Sequence, residues 1–152
     1  IAKSKILTQQ PVLATILRAG LPMQQGLLNI FDKADSAFIT AYRKTKKNGE
    51  FIIQMEHISA PDLEGKTVIL ADPMLATGLS MVLCAKELIN RYKIAKLHIV
   101  AAIASTEGVK HVRANLPKAD LWLGAIDDEM TSKSYIVPGL GDAGDLAFGI
   151  KA

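Results

Sequence analysis

The segment Asp72-Pro73-Met74-Leu75-Ala76-Thr77-Gly78-Leu79-Ser80 holds the residues of this chain with the clearest chemical use. The apolar run TVILA (67–71) precedes it and an apolar-faced stretch from Leu79 to Asn90 follows. A strand should therefore end in a carboxylate, turn, and enter a helix. Ligands of open α/β sheets bind at the carboxyl ends of strands. N–H groups left free at a helix start can hold a phosphate, with the Thr77 and Ser80 hydroxyls as further donors. Asp72 is unsuited to phosphate but suited to sugar hydroxyls, so the pair of features points to a phosphorylated sugar. Without a ligand, Asp72 and Ser80 read simply as turn and cap residues.

Two other phosphate motifs are excluded. A nucleoside-triphosphate loop needs a lysine after its glycine, and Leu79 follows Gly78. The string GLGDAG (139–144) matches a dinucleotide fingerprint by letters, but it follows Pro138, and no helical pattern is expected to run on from it.

Arg18, in ILRAG, falls at the end of another strand-like run, where a guanidinium can grip an anionic oxygen or form a surface ion pair. Arg43, Lys44, Lys46 and Lys47 precede Asn48-Gly49, and they suit either a loop closing over a polyphosphate or a solvated turn. The chain as a whole is only at +3, which argues against a nucleic-acid coat. Residues 1–50 hold 8 basic and 3 acidic side chains, while residues 101–152 hold 5 and 7, so the basic excess is local. Cys84 is the single cysteine, which excludes an intrachain disulfide framework and a cysteine-built zinc site. His57, His98 and His111 are scattered and make no general base stand out. Trp122 reads as core or an interface anchor, and Asp127-Asp128-Glu129 as a solvated edge.

The elements that must position these residues follow from the pattern of apolar residues. Strands are expected at 11–17, 36–41, 51–58, 67–71, 96–104 and 120–126, with helices at 22–31, 79–90 and 106–115. Strand–helix–strand alternation over 67–126 predicts a mostly parallel sheet. A flexible basic loop is expected over 42–50. The segment 135–149, YIVPGLGDAGDLAFG, should be a shaped, ligand-facing loop without a regular helix. The 152 residues suffice for one domain, 1–152. The longest wholly apolar run, IVAAIA at 99–104, is too short to cross a bilayer, and no leader is visible, so a cytoplasmic protein without membrane or nucleic-acid partners is expected.

ILRAGLPM, AYRK, ILADPMLATG and YIVPGLGDAGD, in that order, resemble the uracil phosphoribosyltransferases, a type I phosphoribosyltransferase family. The resemblance implies an α/β fold with a mostly parallel twisted sheet flanked by helices and a small C-terminal hood over about 127–148. It implies transfer of the phosphoribosyl group of 5-phosphoribosyl-1-pyrophosphate (PRPP) to uracil, giving UMP and pyrophosphate. Ala76, Thr77, Gly78, Leu79 and Ser80 would hold the 5-phosphate and Asp72 the ribose. Arg18, Ala19, Gly20 and Arg43 would meet the pyrophosphate. Tyr135, Ile136, Gly141, Asp142 and Ala143 would hold uracil, largely through main chain. Arg18, Arg43, Asp72 and Asp142 are the implied catalytic set. Mg²⁺ is the implied cofactor, held mainly by PRPP and water near Asp142, in a homodimer or higher homo-oligomer. Pro22, Leu79 and Leu146 stand where family members commonly carry glycine, a small residue and a basic residue. An N-terminal helical portion of the family is not matched. The same fold also allows a non-catalytic nucleotide sensor, a structural fragment, or a transferase for another base.

Overall fold

The computed structural model describes residues 7–45 and 51–150. The chain opens with β1 (Val12–Leu17), whose first five residues are buried. It turns at Gly20 into α1 (Leu21–Leu28), where Pro22 in the first turn needs no hydrogen-bonded N–H. β2 (Ser36–Thr45) pairs in parallel with β1 and antiparallel with β3 (Phe51–Ser59), with a register shift between Thr40 and Ala41. β4 (Thr67–Ala71), β5 (Met74–Leu75), α2 (Leu79–Tyr92), β6 (Lys96–Ser105), α3 (Thr106–Asn115) and β7 (Asp120–Asp127) follow. A small antiparallel pair, β8 (Glu129–Met130) with β9 (Ile136–Val137), and α4 (Ala143–Phe148) complete the described chain.

The main sheet has seven strands in the order β3-β2-β1-β4-β6-β5, with β7 also on β6. Every pairing but β2–β3 is parallel. Alternate strand residues Val12, Ala14, Val68, Leu70, Leu97 and Ile99 pack with Met81, Cys84, Ala85, Leu88, Val109 and Val112 of α2 and α3. That is the main core, and its period-two pattern is why each strand reads as β. On the other face Ile69, Val100 and Trp122 meet Leu27 and Phe31 around a cavity of about 380 Å³.

Four expectations are corrected. The first helix ends at Leu28 rather than 31, because Asn29 and Ile30 donate to Gly26 and Leu27 in a tightened final turn. The second strand continues past 41 to Thr45, since the polar run pairs with β3: Tyr42, Arg43 and Lys44 lie opposite Gln54, Ile53 and Ile52. The rest of the expected basic loop, 46–50, lies outside the described residues. The segment 135–149 does contain a helix, α4, because the Asp142 side chain caps it by accepting from the Asp145 N–H at 2.9 Å. Trp122 is not core: it is 59% exposed and donates to His98 Nδ1 at 3.1 Å.

Candidate active site

The 76–80 turn, expected to take a phosphate, forms where β4 and β5 deliver the chain to α2. Gly78 is the residue before that helix and adopts φ of +76°, a conformation glycine takes without a Cβ penalty. This sharp reversal sends the chain directly into α2. Val82 N–H bonds to the Gly78 carbonyl, and Leu79 N–H donates to the Thr77 hydroxyl at 3.4 Å. Among the described residues, the N–H groups of Thr77, Gly78, Ser80 and Met81 make no backbone bond outside the helix ladder. N–H groups left free at a helix start are donors of the kind that a phosphate takes. Leu79 keeps its side chain outside the packing, 48% exposed, so its contribution to the turn is main chain.

Asp72 lies directly beyond β4, and its Oδ1 accepts from Met74 N–H at 3.2 Å. Burial pushes its carboxyl up to about 7, and the Met74 hydrogen bond offsets only part of that. Burial thus disfavours the charge, which has no cationic partner among the described residues; sugar hydroxyls or a hard cation would stabilise it. Cys84, behind it on α2, is buried, and its thiol is pushed up to about 12, first by burial and then by the Asp72 charge. It is an inert packing residue.

The Arg18-Ala19-Gly20 turn follows β1, the strand beside β4. Gly20 N–H bonds to the Ile16 carbonyl at 3.0 Å, and the turn is pressed so close to β4 that a Cβ on Gly20 would lie 2.9 Å from the Ala71 carbonyl. Arg18 Nη2 donates to Asp145 Oδ1 at 2.8 Å and to the Gly149 carbonyl at 3.2 Å. Its Nε is buried with no acceptor among the described residues. A Cβ on Gly144 would lie 3.7 Å from the Ala19 Cβ, so α4 rests on the arginine turn.

The expected uracil residues reach the same edge of the sheet. Ile136 is buried on β9, opposite Met130, and Tyr135 beside it is 38% exposed. Gly139 N–H is held by Asp127 Oδ2 at 3.3 Å, which ties the following turn to the end of β7. Gly141 precedes Asp142, the cap of α4, and Ala143 opens the helix. Arg18, Ala19, Gly20, Asp72, residues 76–80 and residues 136–143 are therefore gathered around the carboxyl ends of the parallel strands. Arg43 falls on β2, opposite Ile53, and its side chain lies outside the described residues.

Sequence reading did not single out Asp145, Gly144, Ser105 or Gly108. The only local signal was spacing: Asp142 and Asp145 sit at the cap and third positions of a helix, as Ser105 and Gly108 do in α3. Neither spacing reveals that these residues touch the arginine turn or the phosphate turn. The cavity of about 380 Å³ at Trp122 contains none of the site residues.

Against this geometry, the profile of the uracil phosphoribosyltransferases matches residues 2–150. The chain belongs to the uracil phosphoribosyltransferase family. It is thereby an enzyme of the phosphoribosyltransferase class. A uracil phosphoribosyltransferase of Porphyromonas gingivalis is 48% identical over 151 residues, covering 99% of this chain and 70% of the relative. One from Thermococcus gammatolerans is 38% identical over 139 residues, covering 91% and 61%. A solved structure of an Aquifex aeolicus protein superposes with a TM-score of 0.86 at 31% identity, covering 97% of this chain and 69% of that one. The adenine phosphoribosyltransferase of Trypanosoma brucei, at TM-score 0.61 and 12% identity, shares the fold. The expected α/β architecture, with its mostly parallel sheet flanked by helices, is thus that of the uracil phosphoribosyltransferase family.

Proposed function

We propose that this chain transfers the phosphoribosyl group of PRPP to a ring nitrogen of uracil, releasing pyrophosphate and forming UMP. The C1–oxygen bond to pyrophosphate breaks, a C1–nitrogen bond forms, and the nitrogen's proton leaves to solvent. Family membership over 2–150 supports the reaction class. The observation that carries the site assignment is the Arg18–Asp145 contact at 2.8 Å, which joins the strand-end turns to the 136–145 segment.

In this reading the 76–80 turn takes the 5-phosphate through its N–H groups, and Asp72 accepts from the ribose hydroxyls. Arg18, with the Ala19-Gly20 main chain and Arg43 on β2, stabilises the charge that builds on departing pyrophosphate. Uracil lies against Tyr135, Ile136 and the Gly141-Asp142-Ala143 turn, whose main chain matches its alternating carbonyl and N–H edge. His98 bonds to Trp122 on the far face, and His111 follows the first turn of α3, so neither is offered as a base. Positioning and charge stabilisation do the catalysis.

A magnesium ion arriving with PRPP fits these donors. Asp142 is exposed with Oδ1 engaged at the α4 cap, and Asp72 is a poorly compensated carboxylate, both hard oxygen ligands of the kind Mg²⁺ takes alongside phosphates and water. The ion would supply neutralisation of pyrophosphate charge. The reading also assigns a homo-oligomer, and the cytoplasm, where a lone free thiol persists. No described helix is long and apolar enough to cross a membrane.

The test is UMP formation from uracil, PRPP and Mg²⁺, with cytosine, hypoxanthine and no base as controls. Selective UMP production is expected, with turnover falling by about a hundredfold or more in Arg18→Ala, the scale of losing one charge-stabilising donor. Product from hypoxanthine instead, or unchanged Arg18→Ala kinetics, would overturn the base or the arginine's role respectively.

A further inference from the structure

The phosphate turn is not held by its own residues alone. On its outer side it meets the first turn of α3, backbone against backbone. Ser105, 1% exposed, donates its hydroxyl to the Ala76 carbonyl at 2.6 Å and accepts from Gly108 N–H at 2.8 Å. Gly108 is buried, and a Cβ there would stand 2.2 Å from the Ala76 carbonyl oxygen and 2.8 Å from that of Leu75. Both obstacles are main chain and cannot rotate aside. From the opposite side, a Cβ on Gly78 would lie 3.0 Å from the Gly108 carbonyl and 3.2 Å from Val112 Cγ2. The two glycines let the phosphate turn and α3 approach more closely than side chains permit.

This contact has a chemical consequence. A turn binds phosphate when its N–H groups converge on the anion and its carbonyls face elsewhere. The carbonyl of Ala76 opens that turn, and an oxygen swung toward a phosphate would repel it. The Ser105 hydroxyl occupies the Ala76 carbonyl from the α3 side, and the missing Cβ at Gly108 leaves room for the carbonyl to stay there. Both residues are buried against the Leu75–Ala76 backbone, so both act through the turn.

We propose that Gly108, assisted by Ser105, is a positioning residue for the phosphate of the substrate, fixing the 76–80 turn in its anion-binding form. This rests on the reading that the turn takes the 5-phosphate of PRPP. Gly108→Ala must displace Leu75 and Ala76, and with them the N–H groups that follow. Ser105→Ala frees the Ala76 carbonyl without adding bulk, so its effect is smaller and in the same direction. Ser105→Thr keeps the hydroxyl.

The experiment is calorimetric titration of the whole chain with ribose 5-phosphate and, separately, with pyrophosphate, which the Arg18 turn receives. Gly108→Ala is expected to weaken ribose 5-phosphate by about tenfold or more, the scale of one charge-assisted hydrogen bond, while pyrophosphate stays within about twofold. Ser105→Ala is expected to weaken ribose 5-phosphate several-fold, with Ser105→Thr restoring most of the loss. Equal losses for both ligands in Ser105→Ala, or ribose 5-phosphate affinity unchanged in a folded Gly108→Ala, would overturn the proposal. Should Gly108→Ala fail to fold, the Ser105→Ala and Ser105→Thr comparison decides it. A wild-type chain that binds pyrophosphate but not ribose 5-phosphate would overturn the underlying assignment of the turn.

Discussion

Asp72, proposed to accept from the ribose, is a residue whose charge the empty fold disfavours. Its carboxyl is raised from 3.8 to about 7, chiefly by burial, so the native state retains a proton that the unfolded chain has lost across that interval. The unfolded state therefore binds fewer protons there, and stability falls as pH rises from about 4 to 7. Asp72→Asn keeps the shape and removes the charge. Thermal melts are expected to show the variant more stable than wild type by a few degrees above about pH 7, with the gap closing near pH 4. A gap that is constant across pH would show that Asp72 ionises freely in the fold. The same substitution should impair turnover with PRPP, since the one oxygen that remains is the acceptor for Met74 N–H and the ribose would face an amide donor instead of a carboxylate oxygen; a stabilised and fully active variant would remove Asp72 from the site.

At the scale of elements, α4 closes the turn proposed to take the base. It has six residues, too few to be stable by propensity, and it stands on the Asp142 cap and the Arg18–Asp145 pair. Asparagine caps as well as aspartate, whereas alanine does not. Asp142→Asn should therefore keep the Gly141–Ala143 turn and most of the uracil affinity. Asp142→Ala should lose about 1 kcal/mol of cap energy, and with it on the order of fivefold in uracil affinity. Equilibrium binding of uracil to the two variants checks this. Equal loss in both would assign the role to the Asp142 charge rather than to the turn it closes.

The division between what the sequence discloses and what it conceals has a physical basis visible in these same elements. The 76–80 turn is local: TVILA, Asp72 and Ala76-Thr77-Gly78 dictate strand, carboxylate and left-handed glycine within a dozen positions, so its shape is legible without coordinates. The central strands and both long helices are legible for the same reason, since their periodicity reports which face is buried. Contacts made across long separations are not. Arg18 meets Asp145 127 positions away, and Ser105 reaches Ala76 across 29, with nothing in either segment naming its partner. The polar run after Ala41 looks like a loop because its pairing with β3, rather than its composition, makes it strand. Likewise α4 depends on one cap in a glycine-rich stretch that composition argues against.

For the molecule as a whole, charge is distributed so that the anionic substrate and the neutral one should respond differently to solvent. Residues 1–50 contain 8 basic and 3 acidic side chains, against a total of +3, and this third supplies Arg18 and β2 with Arg43. The C-terminal part, with 5 basic and 7 acidic from 101 to 152, supplies the turn proposed to take uracil. PRPP carries several negative charges, and on the proposed reading it would be drawn to the basic side chains of the first region by a field that salt shortens, the Debye length falling from about 10 Å at 0.1 M to about 3 Å at 1 M. Uracil is uncharged at neutral pH and, on the proposed reading, meets mostly main chain. Steady-state kinetics across that range should therefore show the Michaelis constant for PRPP rising several-fold while that for uracil stays nearly flat. A parallel rise in both would mean that salt acts on the fold or on an assembly of chains. A flat response in both would mean that short-range contacts at the Arg18 and Ala76–Ser80 turns, rather than the basic N-terminal third, govern capture of PRPP.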